Sequence, residues 1–374
     1  MLESYQGHAR RLAWLDGLRG CAIAGVVLVH AAQVAAPGSA LRSVFAFGQY
    51  GVQLFFVISA LTCILTLRGE ESISNWYIKR ATRIAVVYYF GLLMYFPIFK
   101  IEANLGIHDP GFSSPLNILA NILFLHGWVP TANNTVVPGG WSIAVEMTFY
   151  AIAPAVIFLL LARPKWAAVV CGLSSVFLMI LNYYLNGDVK NNTFEYFWPV
   201  NQLPIFLWTI CLVAVANING WDVWAEEGGH KFSLFVGMLI LLFGCYLGVG
   251  SDSSHIVAPS LVGSGFFIIV ASAGQFKRWF SGRYLVALGR ISFSLYIVHF
   301  AFEHAVRFLF SKKFKFDLEH PLVVIFGMSL IVVGSIVCAR FVNLFVEDKY
   351  YPISYKLIML KNKIFNDLKD QTRR

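Results

Sequence analysis

Apolar residues run along this chain in blocks, not in the alternating or one-faced patterns of soluble elements. Blocks near 20 residues, long enough for a helix to cross a bilayer, lie at about 12–34, 44–67, 78–99, 141–162 and 166–185. Five more follow at about 199–217, 231–249, 255–274, 284–310 and 321–346. The pattern predicts an all-α polytopic membrane protein of about ten transmembrane helices. A shorter apolar stretch at about 116–128 is too brief to cross and reads as re-entrant or interfacial. The first block follows MLESYQGHARR with no small-residue cleavage site behind it, so it reads as a retained helix and not a signal peptide. No internal repeat is visible, and residues 1–350 read as one membrane domain.

Composition supports lipid as the solvent. The chain is 58% hydrophobic and 13% charged, against roughly 25% charged in a soluble domain, and its mean hydropathy is +0.66. A soluble fold of 374 residues would expose large apolar patches at this composition. The six cysteines all fall in apolar stretches without a CxxC pair, so neither disulfide nor metal is expected.

The net charge of +9 is not a nucleic-acid signature, because the cations sit in short loops and at the C-terminus. With both termini cytoplasmic, nineteen Lys and Arg fall inside, among them Arg10, Arg11, Lys79, Arg80, Arg83, Arg373 and Arg374. Six fall outside: Arg42, Lys100, Lys190, Lys312, Lys313 and Lys315. That bias sets the orientation. Two loops dissent, since 218–230 is acidic yet inside and 311–320 holds three lysines yet outside. Residues 351–374 read as a basic cytoplasmic tail. Within it Leu357, Ile358, Leu360, Ile364, Phe365 and Leu368 lie among lysines, the pattern of an amphipathic helix on the inner leaflet.

Polar residues inside apolar blocks are the candidate chemistry, because a titratable group in a bilayer costs at least ~2.5 kcal/mol. In the first block Arg19 and His30 are 11 residues apart and share a face. Their axial separation is roughly 16 Å, so the pair suggests a path as much as a site. The fourth block opens with Trp141, Ser142 and Glu146, and the ninth carries Ser292, Tyr296, His299 and Glu303 on one stripe. The expected topology puts His30, Glu146, His299 and Glu303 in the outer half. A histidine beside a carboxylate could activate a hydroxyl, and a helix-locking hydrogen-bond network is the competing use. On the inner side Arg80 and Arg83, an i, i+3 pair, suit a phosphate or serve as topological anchors. The long loop at about 100–140, outside in this topology, reads as a binding loop or a plain connector.

Together these residues resemble the integral-membrane acyltransferase family 3. The resemblance rests on LDGLRG at 15–20 leading to His30, GVQLFFVISA at 51–60, the R-x-x-R of Arg80 and Arg83, and WSIAVEMTFY at 141–150. SFSLYIVH at 292–299 and VEDKYYP at 346–352 complete it, the latter with altered spacing. Gln53 and Ala60 stand where Asp and Gly are commoner. No hydrolase-like domain is expected after the last span, unlike relatives that transfer groups to peptidoglycan. The resemblance implies a bacterial inner (cytoplasmic) membrane, ten spans, and cytoplasmic acyl-CoA, usually acetyl-CoA, as donor. The implied acceptor is a cell-surface or lipid-linked carbohydrate.

On that footing Arg19, Arg80 and Arg83 are the donor-binding candidates. His30 is the expected general base or covalent acyl carrier, with Glu146 and His299 orienting it or the acceptor. The alternatives are a transporter or flippase, which should show paired interrupted helices in related halves, and an acyltransferase acting on a small hydrophobic acceptor. Membrane lipid is the one partner the sequence demands; the oligomeric state is open.

Overall fold

The computed structural model describes residues 13–69, 72–104, 106, 110–225, 229–249 and 252–371. Arg10, Arg11, Arg373 and Arg374, counted above as inner charges, lie outside these residues, as do Glu226 and Glu227 of the acidic loop. Among the described residues the protein is helical, without strands. Its principal helices are α1 (Ala13–Ala31), α2 (Gly51–Arg68), α3 (Ile73–Asn104), α4 (Pro115–Ile122), α5 (Gly140–Ala162), α6 (Pro164–Asn186) and α7 (Pro199–Ile218). Then come α8 (Lys231–Leu247), α9 (Ala258–Ser272), α10 (Arg283–Arg290), α11 (Ser292–Arg307), α12 (Pro321–Phe345) and α13 (Tyr350–Gln371).

Eight of the described helices are long and apolar enough to cross a membrane: α1, α2, α3, α5, α6, α7, α11 and α12, some with short flanking turns. The other two expected spans are shorter. The helix α8 has 17 residues, and α9, with 15, bends by 100° into a following turn at Gly274–Phe280. Lipid exposure is written on the surfaces: in α6 Leu173, Phe177 and Ile180 are exposed, whereas α2 and α7 are buried on nearly every side.

Two segments differ from the hydropathy reading. The block at 284–310 is not one helix, because the chain turns at Ile291 between α10 and α11. The helix α10 is amphipathic. Arg283, Tyr284 and Arg290 are exposed, while Val286 and Gly289 press on α1. The contact is backbone to backbone. A Cβ on Gly17 would lie 1.6 Å from the carbonyl oxygen of Phe280, one on Gly20 2.2 Å from that of Leu285, and one on Gly289 1.7 Å from that of Asp16. The two glycines of LDGLRG therefore form a flat face against which Phe280, at the end of the preceding turn, and α10 lie, as small residues allow between membrane helices. Likewise α2 starts at Gly51, seven residues later than its apolar block, after a short helix at Ala40–Phe45 and a tight turn.

The stretch at 116–128 forms the short helix α4 and a turn at His126–Trp128. Its apolar side chains Leu116, Leu119 and Ile122 are exposed, and its polar ones are buried. Asn117 Nδ2 donates to the carbonyls of Gly111 and Thr131, and Asn121 Oδ1 accepts from Tyr88 OH at 2.6 Å. Protein groups thus satisfy the polar side chains of a helix too short to span.

The helix α13 returns along the start of α3, where Lys361 Nζ donates to Ser74 Oγ at 3.0 Å and also to Asn75 Oδ1. Ser354 is buried, while Leu357, Leu360, Ile364 and Phe365 are exposed.

Candidate active site

Arg19 of α1, Ser59 of α2, Arg80 and Arg83 of α3, Glu146 and Tyr150 of α5 and Tyr296 of α11 line one cavity between the helices. Each arginine is held differently. Arg19 pairs with Asp16 at 2.7 Å and donates to Thr62 Oγ1 at 2.9 Å. Arg80 is buried, donates to Thr66 Oγ1 at 2.9 Å, and lies over the rings of Trp76 and Tyr150 at 5.8 and 5.7 Å. Arg83 lines the cavity with no hydrogen-bond partner among the described residues. Three guanidiniums thus face a single lining carboxylate, Glu146, whose Oε1 accepts from Ser59 Oγ and Tyr150 OH, both at 2.5 Å. Asp16 and Glu146 offset part of this charge, and the guanidinium N–H groups they leave over suit a phosphate.

The cavity ends at Tyr296, whose hydroxyl accepts from Ser142 Oγ at 2.9 Å and donates to the carbonyl of Gly139 at 3.0 Å. Gly139 has φ +74°, and a Cβ there would meet both Phe300 and the Tyr296 hydroxyl within 3 Å. That closeness explains the glycine pair that opens α5.

Beyond Tyr296, whose ring is centred 5.8 Å from that of His299, lies a histidine pair. His299 Nε2 is 3.3 Å from His30 Nδ1, with Phe300 packed against both rings. A carbonyl can only accept, so the neighbouring carbonyls assign the protons. His30 Nδ1–H donates to Val26 O at 2.7 Å, and His299 Nδ1–H to Leu295 O at 3.1 Å. The lone pair on His299 Nε2 then faces the same His30 proton and shares it. His30 Nε2 keeps its own lone pair, without a hydrogen-bond partner among the described residues. A neutral imidazole held from one side with its other nitrogen open is arranged as a base.

The structure thus brings Arg19, Arg80 and Arg83 to one cavity and His30 and His299 to one contact. It does not bring Glu146 to His30. Turn counting places that carboxylate in the outer half, but α5 delivers it to the arginine cavity, where Ser59 and Tyr150 hold it. Glu303 stays on its stripe one turn past His299 and pairs with Arg307 at 2.7 Å. Position 53 belongs to neither cluster, since Gln53 donates to Gln202 Oε1 at 3.4 Å.

Several members were not singled out from sequence. Tyr150 follows Glu146 by four residues and Trp76 precedes Arg80 by four, so helical spacing was the available signal. Ser59 and Thr66 had none. Glu347, of the VEDKYYP stretch, is buried and accepts from Ser294 Oγ at 2.5 Å, tying the end of α12 to α11.

Fold and cavity together define a multi-pass helical membrane protein whose interior gathers cations at one level and paired imidazoles at the next. Residues 12–340 match the family described as Acyltransferase domain, and the chain belongs to that family, the membrane acyltransferase family 3 that its motifs resemble. It is 25% identical over 333 residues to O-acetyltransferase OatA of Staphylococcus aureus strain NCTC 8325, covering 78% of this chain and 50% of that protein. It is 26% identical over 379 residues to a protein of strain COL provisionally named an O-acetyltransferase, covering 89% of this chain and 57% of that one. The chain therefore spans about half the length of these curated relatives. No solved structure matches it.

Proposed function

We propose that the protein is a membrane O-acyltransferase that moves an acyl group, acetyl in the first instance, from cytoplasmic acyl-CoA to a hydroxyl of an extracytoplasmic carbohydrate. One observation carries this reading: a cavity lined by three arginines reaches Tyr296, whose ring is 5.8 Å from that of His299, and His299 in turn contacts His30, whose Nε2 is open. The family and the O-acetyltransferase names of its relatives support it.

In this proposal ten spans cross the membrane, with α8 and α9 as the two short ones, and both termini are cytoplasmic. Arg19, Arg80 and Arg83 hold the CoA phosphates at the inner level, and the pantetheine arm rises towards Tyr296. The acceptor hydroxyl oxygen attacks the thioester carbon while its proton moves to His30 Nε2. The C–S bond then breaks, and the same proton passes to the departing CoA thiolate. His299 holds His30 through the shared Nδ1 proton.

The test is His30→Ala. Envelope O-acetyl groups measured by mass spectrometry should fall by at least about 100-fold, the lower range for general-base catalysis. Desulfo-CoA binding to the purified protein should stay within about twofold, because different groups serve binding and turnover. Near-normal acetylation by His30→Ala would overturn the proposed chemistry.

A further inference from the structure

A second polar path leaves the histidine pair on the side away from the arginine cavity. On α11, Glu303 and Arg307 follow His299 at successive turns, and Gln33 lies in the short turn Ala32–Val34 that follows α1, three residues past His30. Arg307 joins the two sides, with Nη1 donating to Glu303 Oε1 at 2.7 Å and reaching Gln33 Oε1 at 3.5 Å. His304 stands beside them, 3.7 Å from Glu303 Oε2 and 3.4 Å from Glu102 Oε1. Arg42 pins the chain leaving α1 by donating to the carbonyls of Gln33 and Ala35 at 2.6 and 2.8 Å.

Exposure rises along the stripe. His299 is 0% and Glu303 3% exposed, whereas the side chains of His304 and Arg307 reach 34% and 50%. A buried carboxylate is costly at this depth, and a helix lock would gain most from being closed. This pair instead opens outward.

We propose that Gln33, Glu303 and Arg307 form the carbohydrate subsite, through which the acceptor hydroxyl reaches His30 from the end of α1 and α11 opposite the donor cavity. This rests on the acyl-transfer reading above. The chemistry fits a sugar. Each sugar hydroxyl both donates and accepts, and a carboxylate, a guanidinium and an amide together supply both halves. Phe300, half-buried and edge-on to His30 at 4.5 Å, lies where a sugar C–H face would come to rest. Donor and acceptor then meet at His30 from opposite sides of the membrane, and neither crosses the other's site.

The test blocks the mouth and leaves the subsite side chains in place; because Ser311 Oγ donates to the Arg307 carbonyl, unlabelled Ser311→Cys is the reference and should acetylate within about twofold of wild type. Ser311 is exposed one turn beyond Arg307, and Lys190 is exposed in the loop after α6, on the same outer side of the ten-span topology. Spheroplasts carrying Ser311→Cys or Lys190→Cys are treated with an impermeant polyethylene-glycol maleimide. Base-labile [14C]acetyl on envelope glycan is then counted, beside desulfo-CoA binding to the purified proteins. Labelling Ser311→Cys should lower acetylation at least about tenfold, and labelling Lys190→Cys should change it less than twofold, with desulfo-CoA binding kept in both. A merely structural stripe would not respond to bulk placed at its rim.

Glu303→Gln and Arg307→Gln should each lower acetylation about tenfold while desulfo-CoA binding persists. Full acetylation by labelled Ser311→Cys or by either stripe variant would overturn the subsite, as would position 311 staying unlabelled from outside. If untreated wild-type cells show no more acetyl than cells lacking the chain, or desulfo-CoA does not bind, the acyl-transfer reading fails first and the subsite with it.

Discussion

His299 Nε2 lies 3.3 Å from His30 Nδ1, across 269 residues of chain, and the two imidazoles share one proton between their facing nitrogens. The contact makes His299 a brace for the base. His299→Gln should keep desulfo-CoA binding within about twofold and lower turnover roughly tenfold, less than the loss of His30 itself. Acetylation counts and binding on the same purified samples decide it. Wild-type turnover in His299→Gln would remove the pair from the chemistry.

Arg83 lines the cavity without a hydrogen-bond partner among the described residues, so its substitution tests donor binding with less cost to the fold than that of Arg80. Arg83→Gln should weaken desulfo-CoA binding roughly 10- to 150-fold, the loss of one charge-assisted phosphate contact of ~1.5–3 kcal/mol. Arg80→Gln should do the same and also lower thermal stability, because Arg80 is bonded to Thr66 and stacked on Trp76 and Tyr150. Calorimetric titration and melting curves read the two effects separately. Undiminished binding in a well-folded Arg83→Gln would make this arginine a topological anchor.

The α1–α10 crossing predicts a sharp contrast between two glycines. Gly289→Ala drives a Cβ to 1.7 Å from the Asp16 carbonyl oxygen, a backbone atom that no rotamer change moves aside. Overpacking of this kind costs about 3 kcal/mol, so the variant should melt markedly lower and yield poorly. Gly172→Ala meets only Cys211 Sγ, at 3.5 Å, and should melt at or slightly above the wild-type temperature. Equal melting of the two would mean that the close crossing does not exist.

Topology is open to direct labelling. Single cysteines at Ser72 and Ser113 should differ, with position 113 modified by an impermeant thiol reagent in intact cells and position 72 protected. Labelling of position 72 from outside would reverse the orientation, placing the arginine cavity away from cytoplasmic CoA.

His126, outside the spans, gives a pH signature. Burial pushes its pKa down from 6.5 to about 4, and its Nε2 meets the carbonyl of Gly140 at 2.9 Å and Tyr88 OH at 3.1 Å. The folded protein thus prefers the neutral ring more than the unfolded chain does. Stability is fully present above pH 6.5 and declines as pH falls towards 4, by about 2 kcal/mol at pH 5. Melting at pH 7 and pH 5 should show a larger drop for wild type than for His126→Gln. Equal drops would show that His126 does not contribute.

Much of this was legible from spacing alone. Block lengths mark most of the long apolar helices because a bilayer sets a minimum length for a helix that crosses it. The i, i+3 step from Arg80 to Arg83 and the eleven-residue step from Arg19 to His30 report shared faces, and those faces do line the cavity and the histidine contact. Helical period is a property of one helix, and one sequence carries it.

Which face meets which neighbour is a property of several helices at once, and only the packing decided it. Glu146 sits at a depth and rotation set by how α5 lies against α2 and α3, so it joins Arg80 and not His30. The break at Ile291 follows from Gly17, Gly20 and Gly289, which let α10 lie flat on α1, although hydropathy sees one unbroken block. The His30–His299 contact likewise needs α1 and α11 at one height. Periodicity names the face, and close packing of small residues sets the distance and height at which two faces meet.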